Sequence, residues 1–360
     1  MTFPNRTNFL LAHTPPAPPS PLRLKIDKEA LAANWRALNQ MSGKARAGAA
    51  VKANAYGTGV AAAVPALKEA GCRDFFVAHW SEAAAVLAHA AADEIAVLHG
   101  PLNDPDVAFA RATGVRPVLN SLPQVQRWVA SGGGPCDLMV DTGMNRLGLP
   151  MASIGDPLVQ QLDVVTCLSH LASADEDVPQ NAQQRQRFAE VRGLIAAQRY
   201  SLANSAGIAL GEEYHADLTR PGLALYGGIA RPEYTAVIRQ VAYPEAAVLQ
   251  VREIAAGDPV GYNATFIADR PMRVGAIALG YADGYLRCWS GNGSFHWRGV
   301  SVPSLGRISM DMTVVDLTQV PDCGEGDWLS VDYDPVTASA ASGLSQYELL
   351  TLLGQRFAAA

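Results

Sequence analysis

The hydrophobic and polar positions near the start of the chain follow first a strand pattern and then a helix pattern. Residues 22–26 (LRLKI) alternate between apolar and polar, as a half-buried strand does. Asp27 can cap a helix, and Leu31, Trp35 and Leu38 then recur at helical spacing. The sequence therefore predicts a strand followed directly by an amphipathic helix.

Short apolar runs then alternate with helix-forming segments such as 81–91 and 181–198. We place the strands at 45–52, 74–80, 95–100, 115–120, 136–141, 163–170, 200–205 and 216–227. Alternating strands and helices favour a parallel sheet, and about eight such repeats are typical of a closed (β/α)8 barrel. The predicted fold class is thus α/β, with a barrel of the TIM type.

The pattern changes near residue 240. Strand-like stretches such as AVLQVREI, MRVGAIALGYA and TVVDLT are separated there by Gly, Pro, Asp and Asn. Helical periodicity returns only in SQYELLTLLGQRF at the C-terminal end. We therefore predict three parts, which are a proline-rich extension at 1–20, the barrel at 21–238 and a mostly β domain at 239–360.

Composition excludes several classes of function. The net charge of -6 and the lack of a basic cluster argue against nucleic acid as a partner. We find no apolar stretch long enough to span a bilayer and no signal-peptide pattern, so no membrane association is expected. The five cysteines are odd in number and far apart, which fits a reducing cytoplasm and gives no metal-binding pattern.

Candidate chemistry collects at the carboxyl ends of the predicted barrel strands, where active sites of such barrels lie. The groups at these strand ends are basic or form hydrogen bonds: Lys52, Arg146, His170, Asn204, Ser205, Arg220 and Gly222. An acidic pair and a His/Cys cluster are both missing from this set. The predicted mouth therefore suits an anionic, planar and polar ligand.

Lys52 and Ser205 suggest a more specific ligand. Burial at a strand end lowers the pKa of a lysine, and the neutral amine is a nucleophile towards carbonyls. Ser205 with Gly207 can open a helix beside phosphate, and Gly222 lets the backbone approach closely. Taken one at a time, a lysine reaching to solvent and an ordinary N-cap serine are simpler interpretations. Together the groups suggest pyridoxal phosphate.

Seven collinear motifs make the chain from about residue 21 to its end resemble bacterial alanine racemases, pyridoxal-phosphate enzymes of the barrel-containing fold type III. The motifs are AVKANAYGTG (50–59), VDTGMNRLG (140–148), SHLASADE (169–176), ANSAG (203–207), TRPGLALYGG (219–228), VGYNATF (260–266) with LGYADGY (279–285), and GRISMDM (306–312). The resemblance implies racemisation of alanine, which supplies D-alanine for peptidoglycan or catabolises it.

The resemblance also implies roles for the mouth residues. Lys52 would hold pyridoxal 5'-phosphate covalently, and Arg146 would contact the cofactor's phenolic oxygen and the substrate carboxylate. Arg220 would face the pyridine nitrogen with His170 behind it; a guanidinium keeps its proton, so that nitrogen would stay unprotonated and side reactions would be restrained. The remaining cofactor contacts would be Tyr56, Asn204, Ser205, Gly222 and Leu223.

Racemisation needs a base on each face of the α-carbon. The family pattern gives Lys52 to the α-proton of D-alanine and Tyr262, from the β domain, to that of L-alanine. It implies a head-to-tail homodimer in which each active site takes Tyr262, Met310 and Asp311 from the partner subunit, with Met310 binding the substrate carboxylate. The entrance positions would be Asp175, Tyr281, Arg287, Arg307 and Asp311.

Two positions depart from the family pattern. Met139 stands where many members carry a carbamylated lysine that orients the arginine equivalent to Arg146; Asn145 or a bound anion could take over that task. The family's C-terminal phosphate-binding tyrosine is expected near Gln355. The alternatives left open are a broad-specificity or serine racemase and, with less support, a non-catalytic protein that binds pyridoxal phosphate.

Overall fold

The computed structural model describes residues 18–354 and 356–359. Most of the predicted proline-rich extension, and also Gln355, lie outside these residues. Two units of different architecture follow one another along the described chain, an α/β barrel and a mostly β domain. Both parts of the predicted fold class are confirmed.

The barrel consists of parallel strands whose carboxyl ends share one mouth. Seven of them form one continuous sheet, and the eighth pairs with the beginning of the first, Leu218 opposite Arg46, which closes the ring. In chain order the strands are Arg46–Ala47 continued by Ala49–Ala50, Phe75–Val77, Ile95–Val97, Arg116–Leu119, Pro135–Asp141, Asp163–Leu168, Ala197–Ser201 and Leu218–Thr219.

The eighth strand is much shorter than the predicted range 216–227. Pro221 lacks an N–H for the ladder, and Gly222 has φ -130° and ψ -85°, outside strand geometry. The chain then coils into the helical turn Leu223–Tyr226. This early end to the strand puts a turn of backbone N–H groups at the barrel mouth.

Helices surround the barrel on its outer side. The first, Lys28–Met41, is capped by Asp27, whose Oδ1 accepts a hydrogen bond from the Ala30 N–H at 2.8 Å, and it buries Leu31, Trp35 and Leu38 as predicted. The others are Val60–Ala70, Trp80–Leu87, Asp104–Thr113, Leu122–Ala130, Pro179–Leu194 and Ser205–Ala209. Within the described residues, no helix combines the length and the apolar character needed to cross a membrane.

The second unit is built on the long strand Ala242–Ile254, which pairs antiparallel with several neighbours. The other strands of this unit are Pro259–Val260, Phe266–Ile267, Met272–Ile277, Ser294–Trp297, Val300–Leu305, Thr313–Asp316 and Trp328–Val331. Two short helices, Pro335–Ser342 and Gln346–Thr351, follow. A separate core with Trp289, Phe295 and Leu329 buried lies against this sheet.

The predicted first strand belongs to the second unit and not to the barrel. Leu22–Ile26 pairs antiparallel with the start of Ala242–Ile254, Leu22 opposite Ala246 and Ile26 opposite Ala242. Its alternation is as predicted, with Leu22 and Leu24 buried and Arg23 exposed. The range 21–238 therefore includes one strand of the other sheet, because alternation identifies a strand without identifying its distant partner.

Candidate active site

A cavity of about 790 Å³ opens at the carboxyl ends of the barrel strands. It collects groups from the first, fifth, sixth, seventh and eighth strands, as the topology of a parallel barrel requires. The predicted residues that line it are Lys52, Tyr56, Arg146, His170, Asp175, Asn204, Ser205, Arg220, Gly222 and Leu223. The structure therefore brings together every predicted residue of the barrel mouth.

Lys52 follows directly on the buried first strand and is itself half-buried. Burial lowers the pKa of its amine, and the nearby positive charge of Arg146 lowers it further, while the Glu82 carboxylate acts in the opposite direction. A lower pKa raises the fraction of neutral amine near pH 7. Lys52 thus has the electrostatic environment of a nucleophile or base.

The turn after Lys52 is strained. Residues 53–56 (ANAY) have φ between 51° and 56°, and such left-handed geometry costs about 1–2 kcal/mol per non-glycine residue. The Glu82 carboxylate helps to hold the turn, since it accepts hydrogen bonds from the N–H of Ala53 at 2.6 Å and of Ala78 at 2.8 Å. Strain of this kind persists where the surroundings fix the backbone, and here it turns Lys52 and Tyr56 towards one cavity.

Tyr56, Ser205 and Gly222 meet at one side of the cavity. Ser205 Oγ accepts hydrogen bonds from the N–H of Gly222 at 2.9 Å and of Ala224 at 3.2 Å. The Tyr56 ring stacks on Tyr226 with centroids 4.8 Å apart, and burial raises the pKa of Tyr56, so its phenol stays a neutral donor. The hydroxyl of Ser205 and the phenol of Tyr56, side by side at this wall, are donors that suit a phosphate.

A side chain at position 222 would not fit this arrangement. A Cβ there would lie 2.3 Å from Tyr56 Oη. We expect Gly222→Ala to displace the phenol and to weaken cofactor binding at least about fivefold, since overpacking by one carbon costs about 1–3 kcal/mol. Titration of the apoprotein with pyridoxal phosphate, followed by absorbance, measures this. Gly155→Ala is the control, because its Cβ has no atom within 4 Å; equal affinities for both variants would contradict the assignment.

Arg220 and His170 form the buried, charged end of the cavity. The guanidinium donates hydrogen bonds to Ser201 Oγ and to the Ser169 carbonyl oxygen. Burial lowers the pKa of Arg220 to about 10, against the opposing charge of Asp137, so it remains a cation at pH 7. Burial, and then the charge of Arg220, lowers the pKa of His170 to about 3, so its ring is neutral.

Arg220 is thus a buried cation that lines the cavity, with the Asp137 charge nearby but no carboxylate in direct contact among the described residues. Among residues 18–354 and 356–359 it forms no salt bridge, and its hydrogen-bond partners are neutral oxygens. A buried charge of this kind is stabilised by a further hydrogen-bond acceptor on the cavity side. An unprotonated ring nitrogen fits this environment better than a protonated one, because its lone pair can accept a hydrogen bond from Arg220.

The predicted residues of the β domain lie elsewhere in the single chain. Tyr262 is 66% exposed and Met310 52% exposed, and neither lines the cavity in the described part of one chain. Several of the set lie near one another: the N–H of Ala282, next to Tyr281, donates to the Met310 carbonyl oxygen at 3.0 Å, and the Arg287 guanidinium lies 5.2 Å from the Tyr281 ring centre. Asp311 pairs with Arg356 at 2.7 Å.

The β-domain set therefore forms a second surface. Arg307 belongs to it, because a Cβ at Gly261, directly before Tyr262, would lie 3.7 Å from the Arg307 carbonyl oxygen. The backbone here is also strained, because Asn263 and Ala264 have φ of 60° and 49°. Of the predicted entrance residues, Asp175 alone lines the barrel cavity in the described chain.

Several residues of the cavity wall were not predicted from the sequence. Tyr347 lines the cavity, and its ring lies 6.4 Å from that of Tyr56. The pattern Ser345-x-x-Glu348 marks the helix that carries it, and the structure shows that capping box. The pattern could locate the helix but not its position at the barrel mouth. The other missed residues include Phe76, Leu98, His99, Leu102, Met144 and Leu147.

Comparison with known proteins gives the family of the chain. Residues 26–230 match the alanine racemase N-terminal domain, and residues 241–360 match the alanine racemase C-terminal domain. The chain belongs to the alanine racemase family. The two matched ranges are nearly contiguous, so the family assignment covers both the barrel and the β domain.

Individual alanine racemases are similar over nearly the whole chain. Those of Acidiphilium cryptum and Methylobacterium nodulans are 42% and 43% identical, over 93% of this chain and 97% and 94% of their own lengths. The crystal structure of alanine racemase from Bartonella henselae, with covalently bound pyridoxal phosphate, has a TM-score of 0.87 at 35% identity, covering 95% of this chain and 99% of its own. The biosynthetic alanine racemase of Pseudomonas aeruginosa has a TM-score of 0.84 at 31% identity, with coverage of 95% and 99%.

Proposed function

We propose that this chain is an alanine racemase, an isomerase that interconverts L-alanine and D-alanine with pyridoxal 5'-phosphate in the barrel cavity. The observation that carries the proposal is the convergence of Lys52, Arg146 and Arg220 on one cavity, in a chain of this family. The reaction would supply D-alanine for peptidoglycan synthesis or serve to catabolise D-alanine. A cytoplasmic location is the corresponding prediction from the sequence.

The residues of the cavity fit the cofactor. Lys52, whose amine has a lowered pKa, would hold the cofactor, and Arg220 would donate to its pyridine nitrogen. When bound, the cofactor supplies an electron-withdrawing group that makes the α-proton of the amino acid acidic. The phosphate contacts would be Tyr56, Ser205, Gly222 and Leu223, and we add Tyr347 because it lies beside Tyr56.

The chain's own groups would then handle the substrate. Arg146 would bind the carboxylate and fix the α-carbon between two bases. Lys52 Nζ would hold or deliver the α-proton on the face of the D-enantiomer, and Tyr262 Oη would do so on the opposite face. Because His170 stays neutral and Arg220 stays charged, Tyr262 would meet a cation when it reaches the cavity.

Tyr262 would reach the cavity from a second copy of the chain. Apolar groups are exposed both around the barrel mouth, at Leu102 and Leu147, and on the β domain, at Tyr262 and Met310. A head-to-tail homodimer would cover both surfaces and complete two equivalent sites. Each site would take Tyr262, Met310 and Asp311 from the partner subunit.

Mixed dimers test this arrangement. Lys52→Ala and Tyr262→Phe are expected to be inactive alone but to complement each other when co-expressed, because one site of each mixed dimer is then intact. With random pairing, half of the dimers are mixed and about a quarter of the wild-type activity returns. Co-expression of Lys52→Ala with Arg146→Ala is the control, since both changes lie in the barrel mouth and leave each site damaged. No recovery in the first pair would contradict a shared site.

The reaction itself is tested with L-alanine in heavy water. Deuterium entering the α-position together with D-alanine, and neither from L-serine nor from L-lysine, is the expected result. Similar turnover of L-serine or L-lysine would show a broad-specificity racemase instead. No exchange, with the cofactor bound, would leave a pyridoxal-phosphate carrier as the better description.

A further inference from the structure

The loop between the fifth barrel strand and Arg146 raises the question of how that arginine is held. Arg146 is exposed, and the described residues give its guanidinium no salt bridge and no hydrogen bond. Met139, on the preceding strand, lies in an apolar cluster with Phe76, Val118 and Leu168. The uncharged side chain of Met139 therefore cannot orient Arg146 through a salt bridge.

Hydrogen bonds to one carboxylate hold the backbone of this loop instead. Asp141 Oδ1 accepts hydrogen bonds from the N–H groups of Gly143 and Met144, both at 2.8 Å, and Oδ2 accepts one from Asn145 at 2.8 Å. Three successive N–H groups thus converge on a single side chain at the end of the strand. Such charge-assisted bonds are stronger than bonds to a neutral acceptor.

Carbonyl groups of the same loop are held from the other side. The Arg187 guanidinium donates to the Thr142 carbonyl oxygen at 3.0 Å, and the Gln180 amide donates to the Gly143 carbonyl oxygen at 3.3 Å. Asn145 has φ 57°, so the residue directly before Arg146 is in left-handed geometry. The direction in which Arg146 leaves the loop is therefore set by a fixed and strained backbone.

We propose that Asp141 is a positioning residue for substrate recognition, which holds Arg146 over the cavity through the backbone of residues 143–145. The inference rests on the proposed function, because it assumes that Arg146 binds the substrate carboxylate. It predicts that Asp141 affects carboxylate binding although it does not itself line the cavity.

The test compares Asp141→Asn with the wild type, both as holoenzymes. An amide at position 141 keeps one acceptor oxygen and turns an NH2 group towards an N–H donor, so at least one of the three bonds is lost. We expect KM for alanine to rise about tenfold with kcat changed less than about threefold, since the defect concerns ground-state binding. The dissociation constant of propionate, which has the carboxylate but no amine, should rise by a similar factor in calorimetric titration.

A double-mutant cycle separates positioning from general damage to the fold. In an Arg146→Ala background, Asp141→Asn should change KM and propionate binding by less than about twofold, because the residue acts through Arg146. An equal effect in both backgrounds would show a merely structural role and overturn the proposal. Asp156→Asn is the matched control, since Asp156 accepts the Leu158 N–H at 2.9 Å in a turn away from the cavity.

Three further outcomes are decisive. If Asp141→Asn does not fold, Gln180→Met removes the bond to the Gly143 carbonyl oxygen, together with the bond that Gln180 Oε1 accepts from Ser173 Oγ, and should give the same pattern at smaller size; wild-type KM and propionate binding in that variant would overturn the proposal. If the wild type binds propionate through Arg146 but does not racemise alanine, the proposed function fails while the positioning role stands. Unchanged propionate binding in both Asp141→Asn and Arg146→Ala would overturn the positioning role itself.

Discussion

Lys52→Ala is expected to lower the racemisation rate about 10³–10⁴-fold and to leave the cofactor without a covalent attachment. The physical reason is the position of the amine, which is half-buried, has a lowered pKa and lies on the same cavity as Arg220. Racemisation assays and mass spectrometry after borohydride treatment measure the two effects. The wild type should carry the cofactor on the peptide that contains Lys52.

The control for this experiment is Lys68→Ala. Lys68 lies on the outer helix Val60–Ala70 and pairs with Glu94 at 2.8 Å, away from the cavity. The Lys68→Ala variant should keep both the racemase activity and the borohydride-stable adduct. A stable adduct in Lys52→Ala would mean that another lysine holds the cofactor, and the assignment of Lys52 would have to be given up.

Tyr262→Phe is expected to lower racemisation about 10²–10⁴-fold while the cofactor stays bound. The change removes only the phenolic oxygen of an exposed side chain, so the fold should be unaffected. With Lys52 still in place, the α-proton of D-alanine should exchange with deuterium, whereas that of L-alanine should not. This asymmetry between enantiomers is the signature of one remaining base, and NMR of the α-position measures it.

Tyr243→Phe provides the comparison, because Tyr243 is an exposed tyrosine on the strand Ala242–Ile254, outside the predicted β-domain set. It should behave as the wild type. Unimpaired racemisation by Tyr262→Phe would exclude the phenol as a base. Loss of exchange from both enantiomers would point to a role in cofactor or substrate binding instead.

The barrel mouth was predictable because parallel strands bring their carboxyl ends together. Once Lys52, His170 and Arg220 are located at strand ends, their proximity follows from the topology, and the structure shows all three on one cavity. The burial of Leu22 and Leu24 was equally predictable from their alternation with polar residues. Local patterns of this kind depend on residues close together in the sequence.

The features that escaped prediction depend on distant contacts. Alternation in Leu22–Ile26 gives no information about a partner strand more than 200 residues away. Tyr347 reaches the cavity because the C-terminal helix Gln346–Thr351 packs near the barrel mouth, which its capping signal does not encode. The left-handed turn at residues 53–56 is also invisible, since alanine and tyrosine have no preference for that geometry.

The pairing of Leu22–Ile26 with Ala242–Ile254 has a consequence for synthesis of the protein. During translation the first strand leaves the ribosome long before its partner, so the barrel can complete its ring while this strand still has unpaired edges. Pairing of such high sequence separation is slow, and an exposed strand edge can join a neighbouring chain. Nascent chains stalled between residues 240 and 330 are therefore the stage at which chaperone binding or aggregation should be greatest.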